Sequence, residues 1–509
     1  MKTRAIVDRL RAHAAGRPLP SGETIRLQIA EPEDRLLLSF IRMGGESLPW
    51  GVGIQVGEQP ATLLSVSDAR KRDPVGDMNV QLAAVLTEHL GSALLTGEEV
   101  DPDKPPSLPL RQVWVPNGAH LSMLHLLNLR YTRAQYGDPE RALALRALGR
   151  TCGFLFRESE RAGQATIINT SSALSDHFVF PADDIRQQHL GFVLALLEAD
   201  GDIDERLVKA EAAEKLSVST SLSPDLERSE LEPLVSAYNK AERDGNTAKA
   251  KQRAGDIKSI LDEENSRRLK LMASAIEILR SDEREINSGA ADLAASSIKE
   301  RDCRYRWGEN NGAVNGDVDP KFVTPPDTDN YRPSASKRYY RMIADDDFAS
   351  MSVLHGDAEL QEVAIAEGDA LRGVVRAVER RASRISGTPV PVWTVESGSE
   401  NPSRLREDSK LCVVGVPDKQ CVVISVTLED GLRRVELEAH SSLAAVAEQG
   451  EEIVLLPSSA HGITRSKAKR AGDDTGVGSW LTHGTGSRPA STQFDGEDVL
   501  KRVNEMRGE

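Results

Sequence analysis

Aromatic residues and cysteine are scarce in this chain. Aromatics make up 4 % of 509 residues, so any core must be filled by Leu, Val, Ile and Ala. The four cysteines, Cys152, Cys303, Cys412 and Cys421, form no C-x-x-C pair of the kind that metal and redox motifs use. Cys412 and Cys421 fall on adjacent predicted strands, where they are expected as small buried residues rather than a disulfide.

Long hydrophobic runs are also missing. No stretch approaches the roughly 18–20 apolar residues of a membrane span. The first residues, MKTRAIVDRLRAHAAGRP, are charged and lack the apolar run of a secretory signal. A cytoplasmic location with no membrane contact is therefore expected.

The usual catalytic signatures are absent too. There is no phosphate-binding GxxxxGK[ST], no GxGxxG after a strand, no GxSxG elbow and no HExxH. His120 and His125 stand five apart, a spacing that diverges on a helix and does not make a metal pair. The stretch DGDIDERLVKAE places Asp200, Asp202, Asp204 and Glu211 as in a calcium loop. However, its sixth position is Glu205 where the sharp turn needs glycine, so it reads as a capped helix start. No metal and no cofactor is expected.

Net charge is −15, which argues against wholesale wrapping by nucleic acid, whose affinity comes from cations neutralising phosphates. Local basic patches remain compatible with it.

The chain length implies about three or four domains. The first 18 residues read as a short helix. Strand-like runs TIRLQIA, RLLLSFIRM, WGVGIQV and ATLLSVSD follow, then a helix from Asp77 to Gly91. A proline-rich acidic segment at 97–111 reads as a boundary. QVWVPN reads as a strand, and most of 112–222 as helices, one of them capped by Asp138 with Pro139 at its first position. Residues 223–300 read as a helical hairpin turning at Asp244–Gly245–Asn246, with an apolar stripe thin enough to need a partner. Residues 301–336 are rich in Gly, Asn, Asp and Pro, a linker. From Glu367 to Pro457, short β-rich runs alternate with turn residues, as in a small barrel.

The expected fold is thus multidomain α+β. A mixed unit at 1–96, a mainly helical domain at 112–222 and a long helical hairpin at 223–300 precede the linker. An OB/SH3-like barrel domain at 337–465 and a flexible tail at 466–509 follow it. The tail carries a basic run, Arg465, Lys467, Lys469 and Arg470, and reads as ending in a helix from Glu497.

Two basic–aromatic clusters bracket the linker: Arg304, Arg306 and Trp307 before it, and Lys337, Arg338, Tyr340 and Arg341 after it. Cations that bind phosphates, interleaved with rings that stack on bases, are how single strands are commonly held. In the barrel, Arg372, Arg376 and Arg380 are expected to share one strand face. These residues, Arg380 aside, make up the expected nucleic-acid contact. The reading is a non-enzymatic subunit of a bacterial nucleic-acid-processing or antiviral defence complex, with a protein partner such as an ATPase or helicase. The alternatives are a metal-dependent nuclease built on Asp68, Asp73 and Asp77 with Lys71, and a pure protein–protein scaffold.

Overall fold

Seven consecutive residues, Arg35–Ile41, form a strand buried along its whole length. This is β2, and the first half of the molecule is built on it. Its alternating side chains go to opposite faces: Leu36, Leu38 and Phe40 join one core cluster and Leu37 another. The computed structural model describes residues 2–44, 47–91, 111–133, 135, 138–298, 333–384, 387–398, 403–417, 419–443 and 446–458. The expected linker falls outside them as far as residue 332, and its last residues are helical from Pro333 onward.

β2 pairs antiparallel with β3 (Gly51–Val56), which pairs with β4 (Thr62–Ser65). On its other side β2 runs parallel to β5 (Gln112–Val115), and β5 to β6 (Ile167–Asn169). The sheet order is β4-β3-β2-β5-β6. Strands from 1–96 and from 112–222 therefore share one sheet and one core, and the expected boundary at 97–111 falls inside a single folded unit.

Helices α2 (Arg72–Gly91), α3 (Gly118–Tyr131) and α4 (Pro139–Ser159) cover one face. Asp138 caps α4 as its sequence predicts, accepting from the Glu140 and Arg141 amides. Helix α1 (Lys2–Ala14) opens the chain, and β1 (Leu19–Pro20) pairs with β7 (Phe178–Val179). The other face is covered by α5 (Thr170–His177), α6 (Leu190–Glu198) and the second half of α10 (Thr247–Arg280). Helix α7 (Ile203–Glu214) packs beside α6, and Asp202 caps it, so the calcium-like stretch is a helix start. The three-residue α8 (Pro224–Leu226) runs through a π-turn into α9 (Glu232–Arg243), which forms a hairpin with α10.

The partner that the thin stripe of α10 needs is the sheet. Ile257 and Leu261 join the first cluster, and Leu269, Met272, Ala275, Ile276 and Leu279 the second. The helix spans about 50 Å at 1.5 Å per residue, long enough to serve both.

One predicted strand is not there. TIRLQIA contributes only an isolated bridge, Ile25 to Ile286. The reason is Gln112, whose buried side chain takes the place of a ladder partner. Its Oε1 accepts from the Ala30 amide at 2.9 Å and its Nε2 donates to the Gln28 carbonyl at 2.8 Å.

Residues 288–298 form α11. Helices α12 (Pro333–Gly356) and α13 (Ala358–Ala366) precede the barrel and fill the stretch before its first strand. The barrel strands are β8 (Leu371–Ala382), β9 (Pro389–Gly398), β10 (Lys410–Val413), β11 (Gln420–Glu429), β12 (Leu432–Ala439) and β13 (Glu452–Pro457). They close in the order β10-β11-β12-β9-β8-β13, all antiparallel, which removes free edges. The β11–β12 turn is Asp430–Gly431, with φ of 51° and 75°, the left-handed pair that a two-residue hairpin loop requires and that Asp-Gly favours. Trp393 is fully buried among Val375, Val395, Val423, Val435 and Leu437. Cys412 and Cys421 are buried thiols not joined in a disulfide, and burial pushes the Cys421 thiol up to about 12.

Candidate functional site

Where α5 ends, its last carbonyls need donors. Arg284 supplies one, donating from Nη2 to the His177 carbonyl at 3.0 Å and from Nη1 to the Gly22 carbonyl at 2.6 Å. The Ser21 amide also donates to the His177 carbonyl, at 2.9 Å. Asp282 holds the Arg284 guanidinium, Nε to Oδ1 at 2.9 Å, and that bond keeps the Asp282 carboxyl below its usual range.

This cap fixes two titratable side chains at the helix end. His177 is 2 % exposed. Its Nδ1 donates to the Ala173 carbonyl at 2.8 Å, so Nε2 carries the lone pair, and Nε2 is buried without a hydrogen-bond partner. Burial pushes its pKa down, leaving the ring neutral at pH 7. Beside it, burial raises the Asp176 pKa, opposed by the Arg26 guanidinium.

Asp176, His177 and Arg26 line a cavity of about 430 Å³ between α5, α11 and α12. Its far wall is held close by Gly289. A Cβ there would stand 2.8 Å from the Ala349 Cα, a distance that no side chain tolerates. Ser296 Oγ donates to Asp345 Oδ2 at 2.6 Å and fastens α11 to α12.

Arg26 also lines the larger concavity, a groove of about 770 Å³. Phe178, Val179 and Phe180 line it together with Met351 and Leu354 of α12 and Val363 of α13. Pro457, the last residue of β13, lines it too. The groove lies at the junction of the α/β unit and the barrel, and ion pairs hold its sides. Arg9 of α1 pairs with Asp184, Arg11 of α1 with Glu359 of α13 at 2.5 Å, and Arg372 of β8 with Glu362 of α13. His355 of α12 accepts from the Gly415 amide at 3.2 Å. Ile365, Ala370 and Leu456 form a small core that seats α13 on the barrel. Asp8, Asp184, Asp357, Glu367 and Asp369 line it as well, so apolar and charged groups are mixed along it, and a concavity of this size is the usual form of a binding site.

Arg304, Arg306 and Trp307 lie outside the described residues. Lys337, Arg338, Tyr340 and Arg341 lie in the first part of α12, where the backbone is helical. Arg372 pairs with Glu362, and Arg376 with Glu396 at 2.6 Å. The expectation that Arg372, Arg376 and Arg380 share a face is corrected by a bulge. The β8–β9 register shifts between Val375 and Ala377, which flips the alternation. Arg380 then falls opposite Pro391, and Arg381 joins the outer face, against Glu379 and Glu436.

The acidic trio behind the nuclease alternative does not converge. Asp68 accepts from the Arg70 amide at 2.9 Å. Asp73 and Asp77 both pair with Arg141, at 3.2 and 2.9 Å, so a guanidinium stands between them. Lys71 bonds to Tyr238 Oη at 3.0 Å and to Glu242 instead. His120 is structural: its Nδ1 accepts from the Phe40 amide and its Nε2 donates to the Val218 carbonyl, each at 3.1 Å. Among the described residues no group of three or more His, Cys, Asp or Glu is placed to hold a metal, and no helix is long and apolar enough to cross a membrane.

Sequence reasoning missed the junction because its parts are far apart in the chain. Arg26, Asp176, His177, Met351, Val363 and Pro457 belong to no common motif. The one local signal was the apolar character of Phe178–Phe180 after a helix. Comparison of the chain with protein-family models, with curated proteins and with solved structures finds no match in any of the three.

Proposed function

We propose that this protein is a non-enzymatic, multidomain interaction protein. In this reading it is a subunit of a bacterial nucleic-acid-processing or defence assembly whose motor, an ATPase or helicase, is a separate chain. The observation that carries the reading is the junction groove. Aliphatic and aromatic side chains line it together with acidic ones and two arginines, features suited to an amphipathic helix from a protein partner.

The nucleic-acid contact is assigned to Lys337, Arg338, Tyr340 and Arg341 with Arg304, Arg306 and Trp307, supported by the charge pattern of the sequence. Arg372 and Arg376 of the OB/SH3-like barrel extend that surface, although both are already paired with glutamates. The nuclease alternative loses support from the Arg141 bridge between Asp73 and Asp77.

Salt-titrated binding of single- and double-stranded oligonucleotides tests the nucleic-acid half. The triple substitution Lys337→Ala, Arg338→Ala, Arg341→Ala is expected to lower the slope of log K against log salt on duplex by about 2.7, since each phosphate left without its cation lowers it by about 0.9. An unchanged slope, or no salt dependence in the unsubstituted protein, overturns it.

A further inference from the structure

The 430 Å³ cavity at the end of α5 is built from helix faces. Asp346, Ala349 and Val353 line it from α12 at i, i+3 and i+7, and Ala173 and Asp176 from α5 at i and i+3. Such spacings put each set on one side of its helix. Leu293 of α11 and Ile168 of β6 add apolar wall. Its volume lies within the range of small-molecule sites.

Charges of both signs reach this cavity from separate elements: Arg26 from the segment after β1, Asp176 from α5 and Asp346 from α12. Among the described residues none of the three side chains makes an ion pair or a hydrogen bond. Nearby arginines do close such pairs, Arg9 on Asp184 and Arg404 on Asp369. Arg26 stands near enough to Asp176 to oppose the rise in its pKa, yet it does not close an ion pair with it. Asp176 is open to the cavity while the protein around it withholds bulk water. On the same wall, His177 Nε2 is a buried acceptor without a donor. A guanidinium matches a carboxylate, and two carboxylates with a neutral imidazole match a group rich in N–H donors. An amine alone would leave Arg26 facing a like charge, and an acid alone would face Asp176 and Asp346.

We propose that this cavity binds a small zwitterion, an α-amino acid with an apolar side chain. Asp176 and Asp346 hold its ammonium, Arg26 holds its carboxylate, and Leu293 and Val353 receive its side chain. The proposal does not rest on the reading of the groove, although Arg26 and Val353 line both concavities.

Calorimetric titration of the full chain at pH 7 with L-leucine, L-methionine and L-phenylalanine tests it. At least one of them is expected to bind saturably. Its decarboxylated amine and its deaminated acid should each bind more weakly by about tenfold or more, the worth of one charge-assisted hydrogen bond. Arg26→Met is expected to erase the preference for the amino acid over the amine. Asp176→Asn is expected to erase the preference over the acid. Both residues are exposed, and an unchanged circular dichroism spectrum checks that each variant folds. Should Asp176→Asn not fold, Asp346→Asn takes its place with the same expected outcome. Three results overturn the proposal: no saturable binding of any of the three amino acids, an analogue that binds as tightly as its parent, or a substitution that leaves its own preference unmoved.

Discussion

The α/β unit and the barrel use charge in opposite ways. In the α/β unit, besides surface pairs such as Lys71–Glu242, several ionisable groups lie inside and serve the backbone. β5 pairs with β2 only as far as Leu37, so the Phe40 amide and carbonyl need other partners. His120 takes the amide at 3.1 Å, and Arg268, fully buried, takes the carbonyl at 2.8 Å. Arg268 also donates to Glu264 at 3.0 Å and to the Ser221 carbonyl at 3.3 Å. Burial pulls its pKa down to about 10, so it stays charged. In the barrel, by contrast, charges lie outside and pair with one another across strands. Glu396 takes Arg376 on one oxygen and Arg434 on the other, at 2.6 and 2.8 Å, and Arg381 faces Glu379 and Glu436. Removing a buried ion that satisfies backbone groups leaves those groups unpaired, whereas an exposed pair is one of several nearly equivalent arrangements.

The largest effect that separates the two is expected from Arg268→Met. It leaves the buried Phe40 carbonyl without its donor, while Glu264 keeps Arg267 and the Ser221 carbonyl keeps the Ser217 hydroxyl, and should cost about 1–3 kcal/mol, measured as a fall in the urea midpoint of the α/β unit. The barrel transition should not move. A common shift of both transitions would show that the two units unfold together and break the comparison.

Acid comes next. Burial lowers the pKa of His120 to about 3 and of His89 to about 4. In the unfolded chain these rings take up protons near pH 6.5. Below that pH the unfolded state binds protons that the folded state refuses, so stability falls as pH drops from about 6.5 toward 4 for both rings, and on toward 3 for His120. The slope is about 1.4 kcal/mol per pH unit for each ring. Unfolding followed between pH 7 and 4 checks it, and His120→Gln should remove its share of the slope.

The smallest effect belongs to the barrel surface. Glu396→Gln weakens the pairing with Arg376 and Arg434 together, yet the urea midpoint of the barrel is expected to stay within measurement error, since both arginines remain hydrated. The same substitution frees Arg376 on the outer face, while Arg434 keeps its pairing with Glu429 at 2.9 Å. If that face meets phosphates, oligonucleotide affinity should rise in low salt and converge with the unsubstituted protein in high salt.

The barrel was legible in the sequence to a degree that the α/β unit was not. Three of its pairings, β8–β9, β10–β11 and β11–β12, join strands consecutive in the chain, and its turns carry residues that announce themselves, Asp430–Gly431 above all. Each predicted run from Glu367 to Pro457 became a strand because local pattern and local pairing agree. The bulge at Arg376 was invisible because it depends on how β8 meets β9. In the α/β unit, β6 at Ile167–Asn169 was lost among helices because it is three residues long and its sheet partner is more than fifty residues away. TIRLQIA looked like a strand and lost its ladder to one side chain, Gln112.

Composition and pattern alone determined that the cores are aliphatic, that helices begin at Asp138 and Asp202, that α9 and α10 turn at Gly245, and that a β-barrel closes the described chain. These follow from propensity, capping and alternation, which act over a few residues. Tertiary structure decided that the first two segments share one sheet, that α10 lies across it, and that a groove opens where α12 and α13 meet Phe178–Phe180. A cavity is a relation between surfaces brought together by folding, and no stretch of sequence carries it.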